Sequence, residues 1–192
     1  MVFTPPSWIF GTAFYVGYIF IPLILFGLVA LFGFAKSDLD NNWGYIGIIG
    51  AILFFSWFFL GIATSDLAWH QAYEIPSVDE KVITVKEWQP RVGLHSDEGM
   101  MHIDSADDLM LVTSEDECYY NTENFWFGKF DTRDVFNKLK EGGTYKIKYY
   151  GWREPFNSGF PNLLSVEEVV DESNATDVKF SDYFGTKLIG MN

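Results

Sequence analysis

Two long apolar runs dominate the first third of the chain. Residues 8–35 contain no charged side chain, and a second uncharged run covers residues 41–65. An α-helix rises about 1.5 Å per residue, so about 20 residues cross a hydrocarbon layer about 30 Å thick. The pattern predicts a hairpin of two transmembrane helices, at about 8–35 and 43–65, which forms a membrane anchor over residues 1–68.

The first run has two features that affect how it is interpreted. It is longer than one crossing requires and contains Pro22, which lacks the amide hydrogen that a helix interior uses, so we expect a tilt or a bend there. Residues 1–7 contain no Lys or Arg, and the run is about twice as long as the core of a signal peptide. We therefore interpret it as a retained helix. A buried helix of a soluble core is the alternative, but a domain of this size cannot cover two such helices on all sides.

Small residues recur at helical spacing in both apolar runs. Helices in lipid associate through close packing, which glycine and alanine permit, so we expect these positions to meet beside the turn of the hairpin. The alternative is that glycine is simply frequent in membrane helices. The predicted helix-packing positions are Gly27, Ala30, Gly33, Gly44, Gly47 and Gly50.

Only a few residues indicate which side of the membrane the termini and the turn occupy. Two spans put both termini on the same side, and Lys36 in the turn is the only basic residue close to either span, which favours a cytoplasmic turn and an exocytoplasmic acidic domain. A glycosylation sequon at residues 174–176 agrees with that orientation. Aromatic residues suited to the headgroup level lie at or just beyond the ends of the runs: Trp8, Trp43, Tyr45, Trp69 and Tyr73.

After a predicted linker at residues 69–80, the pattern changes to short stretches of alternating polar and apolar residues. It predicts strands at 81–88, 109–113, 118–120, 144–152 and 163–170, and a helix that begins near Asp131 and ends before Gly142. Three strands, a helix and two strands is the element order of a five-stranded OB barrel, which the region 81–170 resembles in architecture only. A small antiparallel sandwich is the competing fold, and residues 171–192 form a C-terminal tail.

Charge is concentrated in the second part of the chain. The protein has 13 basic and 26 acidic residues, and residues 1–63 contain only Lys36, Asp38 and Asp40 of these, so net charges of about -1 and -12 fall on the two parts. A domain this acidic repels phosphates, so we expect no nucleic acid among its partners. The single cysteine, Cys118, excludes a disulfide scaffold.

The two predicted spans contain no ionisable residue. Proton relays, ion pathways and voltage sensors need such groups inside the bilayer, and a two-histidine haem site needs imidazoles there. Acting alone, the hairpin is therefore predicted to be an anchor with membrane lipid as its partner.

A few groups of residues have the chemistry of metal ligands. His95, Met100, Met101 and His102 lie close together in a predicted loop, and imidazole with thioether suits copper, but their spacing matches no ligand pattern, so they are weak candidates. Acidic residues at 104–108 and 115–117 lack the glycine-bearing spacing of a calcium loop and are interpreted as solvated.

Motifs of catalysis are missing from the chain. There is no Gly-x-Ser-x-Gly, no phosphate loop, no dinucleotide turn and no His-Glu-x-x-His, and Cys118 lies in a predicted strand, where a small buried residue is expected. We therefore expect neither an enzyme nor a cofactor.

Partner-binding candidates lie in the connection between the last two predicted strands and in the tail. This connection is rich in Trp, Phe, Pro and Gly, as rim loops that contact partners in OB barrels are, although it can equally pack on itself. The tail carries aromatic residues that need a surface to pack on. The candidates are Trp152, Arg153, Phe156, Phe160, Phe180, Tyr183 and Phe184.

These features together predict an integral membrane protein, a non-catalytic accessory or structural subunit of a larger membrane-bound assembly, whose acidic exocytoplasmic domain contacts other protein subunits. Three alternatives stay open. One is a membrane-tethered module that binds a glycan, peptide or metal in a groove lined by Trp126, Tyr149 and Trp152. Another is a membrane protein of a virion or envelope. The third is a metal-dependent enzyme or copper carrier centred on His95 and His102.

Overall fold

The structure, a computed structural model, divides the chain into two compact units, Met1–Pro76 and Ser77–Asn192, called here the helical hairpin and the β-domain. It describes residues 3–38, 41–91, 96–97, 100–103, 105–154, 159–183 and 185–188.

The hairpin consists of two continuous helical stretches, Trp8–Lys36 with 29 residues and Asn42–Ser77 with 36, both long and apolar enough to cross a membrane. Most of their bulky apolar side chains are exposed, with Leu31 and Phe59 at 69%. The elements are α1 (Trp8–Tyr15), a π-turn (Val16–Phe20), α2 (Ile21–Lys36), α3 (Asn41–Trp69), a second π-turn (His70–Glu74) and a 3₁₀ turn (Ile75–Ser77).

The glycine positions beside the turn bring the two helices into backbone contact. A Cβ atom added to Gly33 would lie 2.3 Å from the backbone nitrogen of Gly47, and one added to Gly50 would lie 2.5 Å from that of Ala30. Gly27 faces the ring of Phe54 at an ordinary contact distance of 3.5 Å. Because no side chain fits between them, the backbones approach as closely as van der Waals radii allow. Gly44 is half-buried in the first turn of α3.

The irregularity expected at Pro22 takes the form of the π-turn that precedes it. A proline cannot donate to the carbonyl four residues earlier, here that of Tyr18, and its ring crowds that carbonyl. The wider π-turn at Val16–Phe20 relieves this crowding, and the indole Nε1 of Trp57 donates to the Tyr18 oxygen at 3.3 Å. A Cβ at Gly61 would lie 2.8 Å from that indole nitrogen, so glycine makes room for the ring.

The second helical stretch extends beyond the predicted span and through most of the predicted linker at 69–80. Two features stabilise the extension. His70 is buried, with its Nδ1 atom 2.8 Å from Oε2 of Glu74, and the rings of Trp69 and Tyr73 pack against Phe14 of α1. Trp69 and Tyr73, predicted for the headgroup level, thus also hold the two helices together.

The β-domain contains the five predicted strands and the predicted helix, with three further short strands. The elements are β1 (Asp79–Pro90), β2 (Ser96–Asp97), β3 (Met100–Ile103), β4 (Leu109–Thr113), β5 (Cys118–Tyr120), α4 (Thr132–Lys138), β6 (Thr144–Tyr150), β7 (Asn162–Asp171) and β8 (Gly185–Leu188).

Strands β1, β4, β5, β6 and β7 form a mixed sheet in the order β1–β4–β5–β7–β6, and β6 also pairs with β1, so the order closes on itself. All pairs are antiparallel except β5 with β7, which meet at Tyr120 and Asn162. The long strand β1 pairs with two neighbours: its first half, Asp79–Thr84, pairs with β6, and its second half, from Val85, pairs with β4, with a register shift between Val85 and Glu87. Such a shift bends a strand and increases its twist.

A second sheet joins β2, β3 and β8. Residues 100–103, expected in a loop, form a strand that pairs with residues 185–188 of the tail. Local patterns did not indicate this pairing because it joins segments that are more than eighty residues apart in the sequence.

The core of the β-domain lies between α4 and the inward faces of the strands. The indole of Trp88 donates to the carbonyl of Leu139 at 3.2 Å, which satisfies its one polar atom. The buried cluster comprises Ile83, Val85, Trp88, Ala106, Leu109, Leu111, Tyr119, Val135, Phe136, Leu139, Tyr145, Ile147, Leu163 and Phe180.

Candidate functional site

The predicted metal ligands do not form a described site. His95 lies outside the described residues, whereas Met100, Met101 and His102 belong to β3, where they pair in register with Leu188, Lys187 and Thr186. Over the parts of the chain that the structure describes, no group of three or more His, Cys, Asp or Glu side chains is placed to hold a metal ion.

Cys118 is half-buried in β5. Burial raises the pKa of its thiol above the ordinary value, so the thiol stays protonated at neutral pH. A protonated thiol is a poor nucleophile.

The described residues of the connection from β6 to β7 contact one another. Glu154 and Gly159 pair as an isolated antiparallel bridge, and Arg153 donates to both their carbonyls while its guanidinium lies 4.0 Å from the ring centre of Phe160. The Phe160 ring meets Tyr120 edge-on at 5.4 Å. Trp152 is half-buried, and Phe156 lies outside the described residues. Arg153 and Phe160 are thus held by contacts within their own loop and sheet.

The tail folds back on its own domain. Phe180 is buried in the core, edge-on to Phe136 at 5.7 Å, with the guanidinium of Arg133 at 4.8 Å from its ring centre. Tyr183 packs beside it, and burial, with the nearby Glu141 carboxylate, raises the pKa of Tyr183 to about 12. The sequence assigned Phe180 to a partner surface, whereas in the structure it contributes to the core. Phe184 lies outside the described residues.

An exposed aromatic turn was not identified from the sequence. Phe125 is 74% exposed, Trp126 39% and Phe130 60%. The turn is rigidly built, since Asn124 and Lys129 exchange both backbone hydrogen bonds, at 3.0 and 2.9 Å. Gly128 between them has φ of +64°, a left-handed conformation that favours glycine. Residues 125–130 are called here the aromatic turn.

Lys129 anchors the aromatic turn from beneath. Its side chain is only 4% exposed, and its ammonium donates to Oδ1 of Asn121 at 2.9 Å and to the carbonyl of Leu163. Asn121 in turn donates to the carbonyl of Thr132 at 2.8 Å. Burial lowers the pKa of Lys129 to about 8, because the charged form loses its hydration.

A second set of hydrogen bonds ties the aromatic turn to β6 and β7. The hydroxyl oxygen of Tyr150 accepts from Nδ2 of Asn124 at 2.7 Å and from Nδ2 of Asn162 at 3.1 Å. The ring of Tyr150 also lies 4.4 Å from that of Phe127. These contacts fix the turn against the sheet, so its exposed rings have a defined position.

A cleft of about 640 Å³ opens beside the aromatic turn. It combines apolar rings, two lysines, one aspartate and one serine. Trp126, Tyr149 and Trp152, the predicted groove residues, do not line it, and Tyr149 packs edge-on against Tyr119 at 5.3 Å. The lining residues are Val78, Phe127, Gly128, Lys129, Phe130, Asp131, Lys148, Leu164 and Ser165.

Other lysines of the β-domain pair with carboxylates on its surface. The Nζ atoms of Lys81, Lys86 and Lys146 lie 2.6 to 2.7 Å from carboxylate oxygens, and that of Lys140 lies 3.3 Å from two of them. Exposed pairs of this kind contribute little stability, typically about 0–1 kcal/mol. They do show how this acidic surface neutralises its cations.

Comparisons with protein-family models, with curated proteins and with solved structures found no match. Any functional assignment therefore depends on the geometry described above.

Proposed function

We propose that the protein is an integral membrane, non-catalytic accessory or structural subunit of a larger membrane-bound assembly, with a β-domain that contacts other subunits. The observation that carries this proposal is the direction of the bulky apolar side chains on the two helices. They point outward over stretches of 29 and 36 residues, while on the inward side Gly33 and Gly50 bring the backbones of the two helices into contact. Lipid is the solvent that suits such a surface.

We infer further that the five-stranded mixed sheet is an OB-like barrel. Its closed strand order, its helix between the third and fourth strands, and the parallel pairing of the third strand with the fifth all support this. The fold does not define a ligand, since OB-type barrels serve many functions.

For orientation, we propose that the turn between α2 and α3 is cytoplasmic and that both termini are exocytoplasmic. Lys36 at the end of α2 supports this through the positive-inside rule. The sequon residue Asn174 is exposed, as a glycosylation site must be.

The aromatic turn is the surface we propose for contact with another subunit. Exposed Phe and Trp side chains on a rigid support are enriched at the centres of protein interfaces, because they bury large areas at a small cost in conformational entropy. Phe125 and Trp126 contact each other edge-on at 5.3 Å, and the hydrogen bonds beneath them hold the turn in place.

A paired purification tests this proposal. The tagged full chain is extracted from its native membrane in mild detergent, and co-purifying proteins are identified by quantitative mass spectrometry. We expect one or more integral membrane proteins in fixed ratio to the chain, and their loss when Phe125 and Trp126 are both changed to Ser.

Val170→Ser is the matched control, since Val170 is also an exposed apolar residue of the β-domain. It should retain the co-purifying proteins. A monodisperse monomer without co-purifying protein would overturn the proposed function. Equal loss of the co-purifying proteins from the Val170→Ser control would show that the aromatic turn is not the contact surface.

The cleft beside the aromatic turn supports a second candidate, a membrane-tethered ligand-binding module. Its volume of about 640 Å³ lies within the range of small-molecule sites, about 300–1,000 Å³. A membrane protein of a virion or envelope is a form of the first candidate, the structural subunit, in which the assembly is a viral membrane.

A further inference from the structure

Two lysines of the β-domain stand apart from the others. Lys81, Lys140 and Lys146 are half-buried, and each lies within 3.4 Å of a carboxylate oxygen. Lys129 is buried and Lys148 is half-buried, but neither has a carboxylate within ion-pair distance in the described part of the chain. In a protein with a net charge of -13, unpaired cations at such depth are unexpected.

Both of these lysines line the same cleft. Lys129 uses two of its three N–H donors on neutral acceptors, Asn121 Oδ1 and the Leu163 carbonyl, so one donor has no acceptor among the described residues. The ammonium of Lys148 makes no hydrogen bond to a described residue, although its backbone pairs with β1 and β7. The lining of the cleft therefore includes two lysines that have N–H donors without an acceptor among the described residues.

The other residues that line the cleft limit the charge and the polarity of a ligand that fits it. Asp131 is its single acidic residue and is exposed, so the ionisable lining carries a net charge of about +1. The hydroxyl of Ser165 is already bonded to the carboxylate of Glu167. Phe127, Phe130 and Leu164 supply apolar walls. A monoanion with an apolar body matches this lining better than a phosphate does, because the surrounding domain, with 12 basic and 22 acidic residues, has a net charge of -10.

We propose that this cleft binds an organic carboxylate attached to an aromatic or aliphatic group, with the carboxylate at Lys129 and Lys148 and the apolar body against Phe127 and Phe130. The source is either a free acid or an acidic residue next to an apolar one in a partner polypeptide, and both present the same chemistry. This proposal goes beyond the accessory role and does not depend on it, since the cleft can be tested without any partner.

Fluorine NMR on the full chain in nanodiscs of zwitterionic lipid tests the proposal. The probes are 4-(trifluoromethyl)phenylacetate and its uncharged amide, with empty nanodiscs to subtract partition into lipid. A charge-assisted hydrogen bond favours the acid over the amide by about tenfold in dissociation constant. Equal binding of the two, or binding of neither at millimolar concentration, would overturn the proposal.

Two variants locate the binding. Lys148→Ala is expected to remove most of the preference for the acid, because Lys148 is half-buried and makes no structural hydrogen bond in the described chain. Lys138→Ala is the matched control, since Lys138 is an exposed lysine of α4 outside the cleft and its removal changes the net charge equally. An equal loss in both variants would assign the preference to general electrostatics and contradict the proposal.

The same assay with short peptides distinguishes the two sources of the carboxylate, a free acid and a partner polypeptide. It uses a terminally blocked tetrapeptide with trifluoromethyl-phenylalanine beside aspartate, and the same peptide with asparagine. Binding of the aspartate peptide with the preference seen for the free acid supports a polypeptide source, and binding of the small acid alone supports a free acid. Because the assay contains no partner protein, its failure leaves the test of the accessory role unaffected.

Discussion

At the scale of single residues, Lys129 shows how a polar side chain can organise a loop. Its ammonium lies beneath the aromatic turn and bonds to acceptors on two other segments, Asn121 and Leu163. The sequence around it, Gly-Lys-Phe-Asp, is that of an ordinary surface turn. Its burial depends on segments that meet only in the folded chain, so no local pattern could have indicated it.

The lowered pKa of Lys129 predicts a pH dependence of stability. The pKa of about 8 in the folded chain is below the ordinary 10.5, so between these values the unfolded chain binds the extra proton. The contribution of Lys129 to the free energy of unfolding therefore rises with pH over this window. Against Lys129→Met, the wild type should gain about 2 kcal/mol between pH 7 and pH 9.5.

Urea unfolding of the full chain in detergent, followed by tryptophan fluorescence, measures this difference. Groups other than Lys129 titrate in both proteins and cancel in the comparison. A stability difference that stays constant across the window would mean that Lys129 is not buried as described.

Trp57 is the second residue with a role that only the structure reveals. Its indole donates to the carbonyl of Tyr18, to which Pro22, four residues later, cannot donate. We predict that Trp57→Phe destabilises the hairpin by about 1 kcal/mol, because the ring packing is kept while this hydrogen bond in the helix interface is lost.

Unfolding in mixed micelles of increasing SDS fraction, followed by circular dichroism, measures the effect. Trp43→Phe is the control, since Trp43 contacts Phe32 through its ring, edge-on at 5.5 Å. Equal effects of the two substitutions would contradict the role assigned to the indole hydrogen of Trp57.

At the scale of elements, the contact between α2 and α3 depends on two glycine pairings. Gly33 leaves no room for a Cβ atom, which would lie 2.3 Å from the nitrogen of Gly47. We predict that Gly33→Ala separates the helices and costs about 1–3 kcal/mol, a typical cost of overpacking. The same SDS titration measures it.

Gly27→Ala is the matched control on the same helix. Its Cβ would meet Phe54 at 3.5 Å, an ordinary contact, and alanine is favoured over glycine in helices by about 0.5–1 kcal/mol. It should be neutral or stabilising. A similar loss from both substitutions would show that the close approach at Gly33 is not what holds the hairpin.

The elements differ in how well the sequence predicted them. The helices of the hairpin follow from two long uncharged runs, and the strands at Asp79–Pro90 and Thr144–Tyr150 follow from local alternation, with ends shifted by a few residues. The pairing of β3 with β8 and the burial of Phe180 depend on contacts between distant segments. The π-turn before Pro22 and the extension of α3 through His70 depend on side chains of neighbouring turns, which an apolar pattern does not register.

At the scale of the whole molecule, the two units have different surfaces. The hairpin presents apolar side chains outward and has few charges, whereas the β-domain has a filled core and a net charge of -10. This contrast is visible in the sequence alone. The candidate surfaces are not, because the exposure of the aromatic turn depends on how the rest of the domain packs beneath it, and the cleft beside it combines separate segments between Val78 and Ser165.

Extraction of native membranes with alkaline carbonate tests the membrane anchor most directly. Carbonate at about pH 11 opens vesicles and removes proteins held by charge, but it leaves chains whose apolar helices lie in the hydrocarbon layer. We predict that after ultracentrifugation the full chain stays in the membrane pellet and moves to the supernatant only with detergent. Recovery of the folded chain in the carbonate supernatant, without detergent, would contradict the account.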